Sequence, residues 1–277
     1  MRRVSDEKLR VAACQMRSID ETAENQNQIN QFLKNFESES THVDLVSFPE
    51  NSLYFRINPG VSYSGMVAND AYLNELSAWA KQNQTCIHLG SVALQNKNSK
   101  LLNATVWIDR LGKVSFPYSK IHLFDVDVVG EKAVRESDFF ASGTETAIVW
   151  IDQWSIGLSI CYDLRFSELY LRYAKAEVDL ILIPSAFLVT TGQAHWHSLL
   201  RARAIEAQAY VVAAAQGGEH ISKNNEKRYT YGHTLIVDPW GEILSEVLDK
   251  GFVVQELSKK TIEKVRKQIP MKNHRKL

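Results

Sequence analysis

Three side chains able to do chemistry stand where apolar segments end. Glu50 closes "LVSFPE", Lys120 closes "VSFPYSK" and Cys161 closes "IGLSIC". The stretch "WSIGLSICYDLRF" is apolar up to Cys161 and then turns polar, with Tyr162, Asp163 and Arg165 directly behind the thiol. A structural cysteine packs inside an apolar run as a small hydrophobe. A nucleophilic one needs a rigid strand behind it, a turn that exposes sulfur, and donors in front. A thiol of ordinary pKa, about 8.5, is mostly protonated at neutral pH. Glu50 would take its proton, and Lys120 would supply a charge that favours thiolate and then an oxyanion. The Tyr162 backbone N–H would complete that oxyanion hole. The chemistry of such a trio is acyl transfer through a covalent intermediate. Each residue alone has a plainer reading: Glu50 as a loop carboxylate, Lys120 as a solvated strand end, Cys161 as core packing.

The elements that must position these groups follow from apolar periods that switch between two and about 3.6. "LRVAACQM" and "VDLVSFPE" read as strands. "ETAENQNQINQFLKNFE" reads as a helix with Ile29, Phe32, Leu33 and Phe36 inward, and "DAYLNELSAWAKQN" as one with Leu73, Leu76 and Ala80 inward. "TCIHLGSVAL", "LLNATVWID" and "KVSFPYSK" are expected strands, the last two forming a hairpin at Gly112. A long loop over about 121–143 is expected to be functional. A similar order then returns. "TAIVWID" and "WSIGLSIC" turn at Gln153, and "FSELYLRYAKAE" is a helix capped by Ser167 or Asp163. "VDLILIPSAF" has the unbroken apolarity of a strand covered on both faces. "HWHSLLRARAIEAQ" is a helix, "AYVVAAAQ", "YTYGHTLIVD" and "EILSEVL" are strands, and "KKTIEKVRKQI" closes as an amphipathic helix. The pattern predicts a single α/β domain over 1–277: a four-layer α-β-β-α sandwich of two packed mixed sheets. Neither half carries the Gly-rich phosphate loop of a dinucleotide-binding unit.

Composition narrows the function. The chain has 277 residues, 45% of them hydrophobic, and 32 basic against 32 acidic side chains, which leaves no basic excess for nucleic acid. Cys14, Cys86 and Cys161 are too few and too far apart for a disulfide framework, so a reducing, cytoplasmic setting is expected. No run reaches the roughly 18 apolar residues of a membrane span, and the first residues read as neither signal peptide nor anchor.

The segments "SFPE", "YSKIHLFDVDV", "GLSICYDLRFSEL", "PSAFLVTTGQAHWHSLLRARAIEAQAYVVAAAQ" and "YGHTLIVDPWGEIL" together resemble the nitrilase superfamily of carbon–nitrogen hydrolases, whose signature is a Glu, Lys and Cys triad in this order. The resemblance assigns the catalytic roles to Glu50, Lys120 and Cys161. It adds Glu136, in "VRESDFFASG", as a second glutamate that helps position the substrate or the triad, and Tyr54, Phe187 and Thr190 as expected substrate contacts. It implies an amidase with a thioester intermediate, no cofactor, no metal, and a homodimer built on "FSELYLRYAKAE" and the C-terminal region. The run "RARAIEAQAYVVAAAQGGEH" with "EKRYTYGH" resembles the deaminated glutathione amidase branch more than the omega-amidase branch. A small carboxylate-bearing amide is therefore the expected substrate, deaminated glutathione first and an alpha-keto acid amide second. Arg165, Arg172, Arg201, Arg203, Lys227 and Arg228 are the available partners for its carboxylate.

Three other readings compete. A papain-like pair would join Cys161 to His122, His195 or His233, and leaves Glu50 and Lys120 without a role. His195 and His197 in "HWH" would bind metal only if they converged, which alternate residues of a helix do not. A binding scaffold with a vestigial triad is the non-enzymatic reading.

Overall fold

The computed structural model describes residues 7–38, 40–58, 63, 65–66, 70–97, 100–127 and 133–276. The first half runs β1 (Lys8–Gln15), α1 (Thr22–Lys34), β2 (Leu45–Phe48), α2 (Ala71–Asn83), β3 (Cys86–Leu94), β4 (Leu101–Ile108) and β5 (Val114–Ser115). Short pieces follow: β6 (Asp125–Val126), β7 (Val134–Arg135) and β8 (Phe140–Ala141). The second half runs β9 (Ile148–Ile151), β10 (Trp154–Leu158), α3 (Ser167–Lys175), β11 (Leu180–Leu182), α4 (Val189–Ala207), β12 (Tyr210–Ala213), β13 (Gly217–Ile221), β14 (Lys227–Tyr231), β15 (Thr234–Val237) and β16 (Ile243–Val247). It ends on β17 (Gly251–Ser258), α5 (Lys259–Gln268) and α6 (Met271–His274).

Two sheets carry the site. One has the order β17-β1-β2-β3-β4-β5, with β8 beside β4; the other has the order β16-β15-β12-β11-β10-β9. At the centre of each, three strands run parallel: β1, β2 and β3 in the first, β10, β11 and β12 in the second. β1 shows how the layers form. Leu9, Val11 and Ala13 point into the core shared with the second sheet, while Ala12 and Cys14 meet the helices behind the first. Ile29, Phe32 and Leu33 of α1 and Leu73, Leu76 and Ala80 of α2 cover that outer face. Tyr170 and Tyr173 of α3 with Trp196 and Leu200 of α4 cover the outer face of the second sheet. Burying each large apolar side chain of α1 is worth about 1.5–3 kcal/mol relative to exposure. The result is the expected α-β-β-α sandwich.

Several elements differ from the sequence reading. "YTYGHTLIVD" is two strands, because Gly232 and His233 are both left-handed (φ 75° and 59°). The break sends β14 into a two-stranded ribbon with β13, while β15 joins the second sheet. "KVSFPYSK" is strand only over Val114–Ser115; beyond it the chain follows β4 through Thr105 N to Tyr118 O (2.9 Å) and Lys120 N to Asn103 O (2.8 Å). α4 begins at Val189, before "HWH", and the N-cap of α3 is Phe166 rather than Ser167 or Asp163. β17, absent from the sequence reading, pairs antiparallel with all of β1. Trp154 and Trp196 are core residues, but Trp240 is half exposed. Among the described residues no helix is long and apolar enough to cross a membrane.

Candidate active site

Glu50 lies two residues past β2, where the parallel strands of the first sheet end. Its backbone is fixed from both sides. Gln216 donates Nε2 to Glu50 O (3.0 Å), and the next residue, Asn51, left-handed at φ 57°, donates its N–H to Ser91 Oγ (3.0 Å). Its carboxylate is buried, 3% exposed, and Oε1 accepts from Lys120 Nζ (2.8 Å) and Asn103 Nδ2 (3.2 Å).

Lys120 is as deeply buried, 2% exposed, and its ammonium bridges Glu50 and Glu136, both at 2.8 Å. Glu136 comes from a short 3-10 turn within the 121–143 segment, whose residues 128–132 lie outside the described ones. Asn103 donates to Glu136 Oε1 (2.8 Å) and the Phe124 N–H to its Oε2 (2.7 Å). Burial works against the Lys120 charge, but the charges of Glu136 and Glu50 outweigh it and hold the pKa well above the ordinary lysine value. The lysine is therefore a permanent cation.

Cys161 opens a 3-10 turn three residues past β10. It is left-handed (φ 50°) and donates its N–H to Pro184 O (2.9 Å) at the end of the neighbouring parallel strand. A non-glycine residue held there is uncommon and marks a position that the surroundings enforce. Burial raises the thiol pKa well above its ordinary value and the Glu50 charge raises it further; Lys120 and the Ala186 N–H pull the other way. Both of the larger effects favour the protonated thiol. Tyr162 follows in the first turn of the 3-10 helix, where N–H groups have no partner within the helix. Its ring meets Phe124 and Phe166 edge-on.

Asp163, fully buried, caps the 3-10 turn that Cys161 opens rather than α3. Its Oδ2 accepts from the Ile160 N–H (2.9 Å) and Tyr118 OH (2.7 Å), and its Oδ1 from His122 N and Nδ1. One carboxylate thus ties the cysteine turn to the segment that carries Lys120.

Glu50, Lys120, Glu136 and Cys161 open on one cavity of about 650 Å³. Its walls include Arg56, Tyr63, Phe124, Phe139, Leu188, Val189 and Arg228. Tyr54, Phe187 and Thr190 are not among its lining residues. Tyr54 packs edge-on against Tyr63, Phe187 is buried against Trp196, and Thr190 is exposed; Ala186, Leu188 and Val189 form that wall instead. Of the cations considered from sequence, Lys227 and Arg228 reach the cavity, brought there by the β13–β14 ribbon. Lys227 is paired with Glu219 (2.7 Å). Arg228 lies over Phe55 (4.5 Å) and donates to Arg56 O (2.9 Å). Arg201 and Arg203 are spent on Gly241 O and on Leu164 O with Glu206. Arg56 was missed; its signal was a cation in the segment just after Glu50. The imidazoles of the papain-like reading are engaged elsewhere: His122 with Asp163, His195 with Arg165, His233 with Glu246.

Comparison with known proteins shows the family. Residues 10–267 match the profile of the family described as carbon-nitrogen hydrolase. The chain is 42% identical over 206 residues to a deaminated glutathione amidase of Dictyostelium discoideum, covering 72% of this chain and 69% of that protein. It is 34% identical over 272 residues to one of Mus musculus, covering 96% and 82%. The crystal structure of the Caenorhabditis elegans NitFhit protein superposes with a TM-score of 0.85 at 32% identity, covering 98% of this chain and 65% of that one, so the present chain spans about two thirds of that fusion protein. On the extent of the profile match and on these relatives, the chain belongs to the carbon–nitrogen hydrolase family.

Proposed function

We propose that the protein hydrolyses a small, carboxylate-bearing linear amide through a thioester on Cys161, with deaminated glutathione as the first-choice substrate. The observation that supports this reading most is the shared cavity, with the triad at one wall and Arg56 and Arg228 at another. Glu50 Oε1 is taken by Lys120 and Asn103, which leaves Oε2 to receive the Cys161 proton. Sγ attacks the amide carbonyl, and the oxyanion forms against Lys120 Nζ and the Tyr162 N–H. Collapse breaks the C–N bond, and ammonia leaves with the proton held by Glu50. Water, deprotonated by the same carboxylate, then attacks the thioester, and the thiolate leaves and is reprotonated. Glu136 is a positioning residue, holding Lys120 and Asn103 in place.

The substrate carboxylate is read by Arg228 and Arg56. Arg228 is partly buried on the cavity lining, where its charge is available to an anionic ligand. Ammonia release from deaminated glutathione, alpha-ketoglutaramate, glutamine, a neutral aliphatic amide and a nitrile tests the reading. The acidic amides should show the highest kcat/KM, and Arg228→Gln should raise KM for them alone. A neutral amide or nitrile ranking first would overturn the substrate class; alpha-ketoglutaramate ranking first would give the omega-amidase reading instead.

We further place the enzyme in a reducing compartment, in keeping with its three free cysteines, and assign it a homodimeric state. Exposed Leu171 on α3, and Ile205 on α4 beside Gly241, are the apolar surface that a second copy would cover. Sedimentation at micromolar concentration should give twice the chain mass.

A further inference from the structure

Behind the β13–β14 ribbon, and outside the cavity, His197, His233 and Glu246 bring one ligand atom each to within 4.8 Å of one another. They come from three elements: α4, the turn between β14 and β15, and β16. Glu246 Oε1 lies 2.8 Å from His197 Nε2 and 2.5 Å from His233 Nδ1. All three side chains are partly exposed, at 32%, 26% and 24% for His197, His233 and Glu246. An ion and its water can therefore reach them.

The rings are held in place by neighbours besides Glu246. His233 is fixed by its left-handed backbone, by Trp196 Nε1 donating to its carbonyl (2.8 Å), and by stacking on Tyr231 (centroids 4.2 Å apart, planes at 21°). Tyr231 is itself seated on α4 where Gly192 has no side chain; a Cβ there would stand 2.2 Å from the Tyr231 ring. His197 follows Trp196 on α4, so the helix that positions one imidazole also clamps the backbone of the other. His195, the other histidine of "HWH", points away to Arg165.

We propose that His197, His233 and Glu246 form a binding site for a divalent transition-metal ion, Zn2+ by preference, separate from the amidase centre. Two imidazoles and a carboxylate are a donor set for zinc and its neighbours, whereas calcium and magnesium take all-oxygen sites. A tetrahedral ion about 2.0–2.2 Å from each ligand atom needs ligand atoms roughly 3.2–3.5 Å apart. The present separations at Glu246 are somewhat shorter, as expected when two imidazole N–H groups hold the carboxylate that a metal would otherwise share. Binding replaces those protons with the ion, and water fills the fourth position. The ion joins α4 to the β14–β15 turn and to β16 and so stabilises the fold without entering the hydrolysis.

Zinc titration calorimetry on protein carrying Cys161→Ala, which removes the reactive thiol as a competing ligand, tests the site. One equivalent should bind, Tm should rise by a few degrees, and Co2+ in place of Zn2+ should give the d–d absorption of a four-coordinate ion. His197→Gln and Glu246→Gln, made in the same background, should each weaken binding by more than roughly 100-fold. Both single variants, made in the otherwise unchanged chain, should still hydrolyse amide in the presence of chelator. The proposal is overturned if no saturable single-site binding occurs, or if His197→Gln leaves affinity and Tm shift unchanged.

Discussion

Asp163 accepts two hydrogen bonds from His122 on a single oxygen, 3.0 Å from the backbone N and 2.7 Å from Nδ1. Through that pair the turn bearing Cys161 and the segment bearing Lys120 share one rigid support. Asp163→Asn keeps the shape but puts an NH2 where one oxygen accepts. Hydrogen bonds to a buried charge are worth about 1.5–3 kcal/mol, so urea unfolding should show a loss of about 2–3 kcal/mol. As Asp163 positions rather than reacts, kcat should fall with KM nearly unchanged.

Lys120→Met leaves Glu50 and Glu136 facing each other without their shared cation. Removing one partner of a buried pair costs about 3–5 kcal/mol. Adding Glu136→Gln removes one of the two charges and should recover most of that stability. Turnover should stay lost in the double variant, because the oxyanion still lacks its cation. Recovery of activity along with stability would mean that Lys120 serves only to hold the carboxylates apart.

Two buried histidines set the response to acid. Burial lowers the His88 pKa to about 3, and burial also lowers His220 to about 4 although Ser18 O opposes it. Both fold as neutral rings, whereas the unfolded chain takes up a proton at each near pH 6.5. Stability is therefore full above about pH 6.5 and falls as pH drops toward 4, where the unfolded state holds more protons. Urea midpoints measured between pH 4 and 7 should show this slope, and His88→Gln should flatten it.

Gly90 of β3 packs directly against Pro184, just past β11 of the other sheet. A Cβ there would stand 2.1 Å from Pro184 Cβ and 2.5 Å from Phe48 O. Pro184 O holds the Cys161 N–H, and Phe48 precedes Glu50 by two residues. Gly90→Ala should therefore move base and nucleophile apart. Overpacking of this kind costs about 1–3 kcal/mol, and kcat should drop with it. Equal activity in a correctly folded Gly90→Ala protein would show that the site tolerates that shift.

The layers were legible because they rest on local patterns, and so was the convergence of Glu50, Lys120 and Cys161 on one cavity. Glu50 and Cys161 follow short apolar runs that read as strands, and the α1 and α2 stripes follow the helical period. What was hidden depends on partners distant in sequence. The Asp163 side chain has a local helix-capping signature, yet Tyr118 and His122 claim it. β17 exists because β1 offers it an edge, and its alternation is too weak to stand out alone. His233 looked like one residue within a long strand, and its left-handed backbone moved both Arg228 to the cavity and its own ring to Glu246. Phe187 and Thr190 are immediate chain neighbours of Ala186, Leu188 and Val189, which do line the cavity.

The thioester on Cys161 is the centre of the account, and intact-mass spectrometry of enzyme quenched during turnover of a carboxylate-bearing amide tests it directly. Wild-type enzyme should carry protein heavier by the acyl group, without its ammonia, mapped to the peptide containing Cys161, whereas Glu50→Gln, lacking the base for attack and for the water step alike, should lose adduct and turnover together. Cys161→Ala should carry no adduct and lose about a thousandfold or more in kcat while unfolding as the wild type does. Hydrolysis by Cys161→Ala at the wild-type rate, or an adduct mapped to Cys14 or Cys86 instead, would contradict it.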